Sequence, residues 1–205
     1  MDMHLFFHDT ETTGLPVWKE PSGSENQPHL VQLAGLLVNA ETRKEVASLD
    51  LIIKPDGWTI PEELTKIHGI SQEYANDVGV PEADAVSLFL SMWGGGNKRV
   101  AHNRTFDQRI IRIACKRYFD DGTTDAWAAK EDFDCTMLMS KPIIKIPPTV
   151  KMVKAGFKQF KQPSLAEAYK HFMGRELEDA HSALADARGC KDIFFAMRDL
   201  QAKAA

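Results

Sequence analysis

Cysteine is scarce. The three present, Cys115, Cys135 and Cys190, are odd in number, widely spaced and without a C-x-x-C pair, which argues against a disulfide framework or a cysteine-ligated zinc site. They read as buried thiols in a reducing compartment. Long hydrophobic runs are missing as well. Nothing approaches the roughly 18 to 20 apolar residues of a membrane span, and no basic segment followed by an apolar one opens the chain. A cytoplasmic protein without membrane contact is expected. There is no surplus of positive charge: 25 Lys and Arg face 29 Asp and Glu, for a net charge of −4. Global attraction to a polyanion is thereby excluded, so binding of nucleic acid would have to rest on local basic surface and bound metal. No internal repeat or linker is evident. A length of 205 residues suits one well-buried domain and is short for two, so a single domain over 1–205 is expected.

What the chain does have begins at its N-terminus. A short apolar run from His4 to His8 leads into Asp9-Thr10-Glu11-Thr12-Thr13-Gly14-Leu15. Side chains two apart on a strand leave the same face, so Asp9 and Glu11 project side by side. Two like charges that close need a cation, or one of them takes up a proton. Hard Mg²⁺ or Mn²⁺ suits such oxygen ligands.

Strands are predicted over 4–9, 30–39 and 46–54 from apolar or alternating runs bounded by Pro, Gly and Asn. Between the first two, Pro16 to Pro28 reads as a flexible polar loop that leaves directly from the acidic pair. Pro61 opens a short helix that Gly69 closes, and Ser71 caps another. Val86, Phe89, Leu90 and Trp93 recur at helical spacing until Gly94-Gly95-Gly96. A brief strand over 98–102 precedes a helix with Phe106, Ile110, Ile113 and Ala114 inward. Ser164 and Glu167 form a capping-box pattern with Gly174 as terminator. The last helix carries Leu184, Ala187, Cys190, Phe194 and Met197. This order suggests an α/β fold with a mixed sheet between helices. One compositional anomaly stands out: 141–161 holds Lys141, Lys145, Lys151, Lys154, Lys158 and Lys161 without an acidic residue.

Two more clusters carry potential chemistry. Asp107 falls in the first turn of the helix after the 98–102 strand, where any acid is favourable by a few tenths to about 1 kcal/mol. His181 and Asp186 lie five apart. On one ideal helix they would diverge by roughly 140°, so His181 must sit on the turn before that helix for both to face one site. A histidine there is solvent-accessible and can take a proton near neutral pH; a plain surface histidine is the alternative.

Asp9-Thr10-Glu11 with Thr12-Thr13-Gly14-Leu15, then Asn103 with Phe106-Asp107, then His181 with Asp186, resembles the three-motif signature of the DEDDh (DnaQ-like) 3′-to-5′ exonucleases. Lys66-Ile67-His68-Gly69-Ile70 is similar to the proofreading branch that includes the epsilon subunit of bacterial DNA polymerase III. The resemblance implies a ribonuclease H-like fold, a mixed five-stranded sheet flanked by helices. It also implies two-metal hydrolysis with two divalent cations, Mg²⁺ or Mn²⁺. Asp9 would be shared by both ions, Glu11 and Asp186 would complete one site, Asp107 would serve the second, and His181 would be the general base.

The same resemblance places Thr10, Thr12, Thr13, Gly14 and Leu15 around the terminal nucleotide, with His68, Asn103 and Phe106 nearby. Phe106 reads equally as core, His68 as a helix-end neighbour and Asn103 as a helix cap. The implied substrate is the 3′ end of single-stranded or frayed DNA, released as nucleoside 5′-monophosphates. RNA remains open as the substrate of an exoribonuclease on the same chemistry, and a polymerase or other replication protein as partner. A non-catalytic nucleic-acid-binding protein on this fold is the reading from another class; the full set of four carboxylates and the histidine speaks against it. Two features depart from the proofreading pattern. No long tail follows the last helix, and the Lys-rich segment is unusually basic, reading as a solvated loop or as a contact for backbone phosphates.

Overall fold

In the computed structural model, which describes residues 3–94, 97–129 and 133–204, the N-terminal apolar run becomes the central strand of the sheet. Strand β1 (His4–Thr12) pairs antiparallel with β2 (Leu30–Asn39), which pairs antiparallel with β3 (Glu45–Ile52). On its other side β1 pairs in parallel with β4 (Lys98–Ala101), and β4 with β5 (Phe133–Cys135). The order β3-β2-β1-β4-β5 is the expected mixed five-stranded sheet. β1 runs three residues beyond the predicted 4–9, so Asp9 and Glu11 belong to the strand.

Helices cover both faces, and the period-2 alternation of β1 decides which residue meets which layer. Phe6 packs with Phe89 and Trp127 beneath α3 (Glu82–Trp93), α4 (Arg104–Tyr118) and α5 (Asp121–Ala128). Leu5 and Phe7 face α9 (Ala183–Ala204), where Cys190, Phe194 and Phe195 close over them. Burying each such aromatic or aliphatic side chain contributes roughly 1.5–3 kcal/mol. Asp9 and Glu11 continue the Leu5–Phe7 face toward α9, and Thr10 continues the Phe6 face toward α4.

The short local signals hold. Helix α1 (Glu62–His68) ends on Gly69 in the left-handed region, and α2 (Gln72–Val78) starts with the Ser71 side chain accepting from the Tyr74 N–H. α8 (Leu165–Met173) opens on a complete Ser164/Glu167 capping box and closes on left-handed Gly174. Gly94 ends α3 as expected, while Gly95 and Gly96 lie outside the described residues. Cys115, Cys135 and Cys190 are free and buried. Among the described residues no helix is long and apolar enough to cross a membrane.

Two expectations need correction. Residues 16–28 are tied down: buried Gln27 donates from Nε2 to the carbonyls of Val17 and Pro21, 3.1 and 2.9 Å, and accepts from the Val17 N–H. Arg117 adds bonds to the Gln27 and Pro28 carbonyls. One inward amide thus replaces a core in a segment too polar to have one. The Lys-rich segment, in turn, is partly helical. α6 (Thr136–Ile144) and α7 (Val150–Lys154) lie within or across it, and Lys161 pairs with Glu167, a counter-acid beyond the segment's end.

Candidate active site

The pairing of β1 with β4 runs as far as Phe7, opposite Val100, and Asp9 and Glu11 extend past it into the gap where α4 begins. Asp107 stands in the first turn of α4 and Asp186 in the first turn of α9. Two helix N-termini, one from each layer, therefore bring a carboxylate to the same end of the central strand. Thr10, pointing to the α4 side, donates its hydroxyl to Asp107 Oδ1 at 2.9 Å.

All four carboxyls are raised, three of them in part by their neighbours' charge. Burial pushes Asp9 well above the usual carboxylate range, and the nearby charges of Asp107, Asp186 and Glu11 push it further. Glu11 is raised to about 8 by burial, then by Asp186 and Asp107. Asp107 is raised to about 7 by burial, against the opposing Thr10 hydrogen bond. Asp186 is raised to about 6, again by burial, with the His181 backbone N–H opposing. Clusters of this kind mark functional sites because the fold alone gives no reason to hold them.

His181 sits on the turn ahead of α9, exposed and with φ of 69°. A left-handed non-glycine residue is uncommon, and such strain gathers at functional turns. The turn is what lets it face Asp186, whose Oδ2 accepts from the His181 N–H at 3.3 Å. Atoms able to ligate a cation on Glu11, His181 and Asp186 all lie within 4.8 Å of one another. Asp186 Oδ1 is buried with no hydrogen-bond partner. An oxygen-rich set with an orphaned carboxylate oxygen fits a hard divalent cation.

The family model described as "Exonuclease" (RNase_T) matches residues 6–194, nearly the whole chain. The chain belongs to this exonuclease family. Its class is that of the DEDD 3′-to-5′ exonucleases. No curated protein matches the chain at a significant level. Solved structures do. An E. coli exonuclease I in complex with single-stranded DNA, in a zinc-bound form, aligns at a TM-score of 0.70 and 18% identity over 98% of this chain and 42% of that one. The same enzyme with a dA16 oligonucleotide gives 0.73 and 18% over 98% and 42%. Exonuclease I of Methylocaldum szegediense gives 0.70 and 22% over 98% and 41%. At this identity the likeness shows the shared fold. The chain spans about two-fifths of the length of these relatives.

The expected nucleotide-contacting residues fall into different surroundings. Leu15, four residues after Glu11 in the chain, is 77% exposed. Thr12 donates its hydroxyl to the Gly14 carbonyl at 2.8 Å, and Thr13 Oγ1 accepts from the His29 N–H at 2.9 Å, so both hydroxyls are engaged within the loop. Thr10 is buried, and its hydroxyl is spent on Asp107. Phe106 packs against the core cluster of α3 and α4 while staying partly exposed. Asn103 precedes α4 in the left-handed region and its side chain caps nothing, against the capping alternative. His68 accepts through Nδ1 from the Ile70 N–H at 3.1 Å; its buried Nε2 has no partner, and burial and nearby His181 both lower its pKa.

One residue at the site, Gln32, carries no motif in the sequence. Gln32 lies directly across β2 from Glu11. Its Oε1 accepts from the N–H of Ala183, the first residue of α9, at 3.0 Å, and its Nε2 donates to Asp50 at 2.7 Å. The start of α9, just after His181, is thus clamped to β2 at the position paired with Glu11. A polar residue buried at an otherwise apolar strand position was the available signal.

Proposed function

We propose that the chain acts as a single exonuclease domain which removes nucleoside 5′-monophosphates from the 3′ end of single-stranded or frayed DNA. Two divalent cations, Mg²⁺ or Mn²⁺, are its cofactors. The reading rests on one observation: four carboxylates, each raised by the others or by burial, converge with an exposed histidine at the end of β1. Asp9, whose carboxyl feels all three of the others, would hold the ions together with Glu11, Asp107 and Asp186. When bound, such ions lower the pKa of water and offset charge on the departing 3′-oxygen.

The chain's own side chains do the rest. A ring nitrogen of His181, free on its turn, takes the proton of the attacking water and passes it to solvent. Thr10 keeps Asp107 aimed inward, and Gln32 keeps the His181 turn against Glu11. Leu15, exposed at the mouth of the site, gives the terminal base an apolar surface to lie on, with His68 and Phe106 flanking it. The single-stranded DNA named with the similar structures favours DNA. The three buried free thiols suit a reducing cytoplasm, where the enzyme acts alone or loosely associated with a replication protein.

The test is a parallel digestion of 5′-labelled single-stranded DNA, mispaired duplex DNA and RNA of one sequence, with Mg²⁺ or EDTA. Mg²⁺-dependent shortening from the 3′ end, fastest on single-stranded DNA, is expected. Internal cleavage or insensitivity to EDTA would sink the proposal, and faster loss of RNA would reassign the substrate.

A further inference from the structure

Residues 136–163 leave the catalytic edge of the sheet and return to it. His102, next after β4 and five residues before Asp107, is buried, with Nδ1 2.9 Å from Thr136 Oγ1 and Nε2 3.0 Å from the Pro163 carbonyl. One imidazole therefore pins both ends of the excursion beside the carboxylates. Within it, the Lys161 N–H donates to the Ile146 carbonyl at 2.9 Å and closes the loop between them.

The surface of this loop is unusual. Phe157 and Phe160 are 51% and 42% exposed, with Val150 and Val153 also outward. They adjoin a cleft of about 340 Å³ lined by Lys141, Met152, Phe157, Phe160, Lys161 and Gln162, with no carboxylate in its wall. Among the described residues, only Lys161 of the segment's six lysines has an acidic partner. Aromatic rings standing in water among unpaired cations, in a chain of net negative charge, match the two needs of a flexible polyanion with flat bases: stacking platforms and a phosphate track.

We infer that residues 145–161 form a platform for single-stranded nucleic acid, with bases stacking on Phe157 and Phe160 and phosphates on Lys145, Lys151, Lys154 and Lys158. It holds the strand several nucleotides away from the 3′ end being hydrolysed. The inference rests on the exonuclease reading above and names how that site keeps a long substrate.

The experiment compares a 20-nucleotide single strand with the p-nitrophenyl ester of thymidine 5′-monophosphate, which reaches only the carboxylate site. For Phe157→Leu/Phe160→Leu, which keeps apolar volume and removes the stack, KM for the 20-mer should rise on the order of 10-fold or more. Hydrolysis of the ester should not change. For Lys151→Glu/Lys154→Glu/Lys158→Glu, the log–log salt slope of 20-mer binding should flatten by about 0.7 for each phosphate no longer neutralised. Unaltered KM and salt slope overturn the inference and leave the face to a protein partner; so does equal loss on ester and 20-mer in both variants. If the wild type hydrolyses neither substrate, the exonuclease reading fails, and 20-mer binding by fluorescence anisotropy still decides the platform.

Discussion

Replacing Glu11 by Gln should stabilise the metal-free protein, because the site is assembled at the expense of the fold. The Glu11 carboxyl is raised from 4.5 to about 8 by burial and by Asp186 and Asp107. Its folded value lies above its unfolded value, so stability is fully present below about pH 4.5 and is lost as pH rises toward 8. At pH 7.5 the loss spans about three pH units, or about 4 kcal/mol at 1.36 kcal/mol per unit. Glu11 remains partly exposed, and screening reduces this to about 2 kcal/mol. For a chain of this length that is a rise in Tm of about 4–8 °C. Thermal unfolding in EDTA should therefore show Glu11→Gln above the wild type at pH 7.5 and nearly level with it at pH 5. Saturating Mg²⁺ should reverse the order, since only the wild type has the complete ligand set to gain from binding. Equal Tm values in EDTA at pH 7.5, or a gain independent of pH, would refute the idea that the carboxylates strain one another and await a cation.

Three further outcomes are expected. His181→Ala should keep Mg²⁺-dependent stabilisation and lose about 10²- to 10⁴-fold in turnover; unchanged turnover would remove His181 from the mechanism. Gln32→Leu should leave the Ala183 N–H buried and unmatched, costing about 1–3 kcal/mol. It should also lower kcat on the ester on the order of 100-fold through a displaced His181 turn, and full activity would show that the clamp is not needed. His8 is fully buried among Phe6, Phe89, Trp127 and Phe133, and its ring nitrogens lack a well-formed hydrogen bond. Burial, then Arg99, lowers its pKa from 6.5 to about 3. With the folded value below the unfolded one, stability falls as pH drops from 6.5 toward 3. His8→Leu should gain about 1 kcal/mol at pH 8 and about 3 kcal/mol at pH 5 by urea titration, and a pH-independent difference would count against this reading of His8.

What could be read from the chain alone was local. The Asp9/Glu11 pair shows through a strand's period of two, and Gly69, Ser71, Ser164/Glu167 and Gly174 mark helix ends because caps are made by neighbours in sequence. The displacement of His181 from α9 followed from helical geometry by itself. β5 was invisible because three residues carry no periodicity, and its identity comes from parallel pairing with β4. Residues 16–28 looked loose because their order rests on one inward amide, Gln27, and on arginines from α4. Thr10, Gln32 and His102 reach partners 97, 151 and 61 residues away, and no local pattern announces such bonds. Which side chains could ligate and titrate was therefore settled by residue order. That Asp107, buried, meets the half-buried Asp9, Glu11 and Asp186 was settled by packing, because desolvation and repulsion depend on distances that the chain acquires when α4 and α9 close over the end of β1.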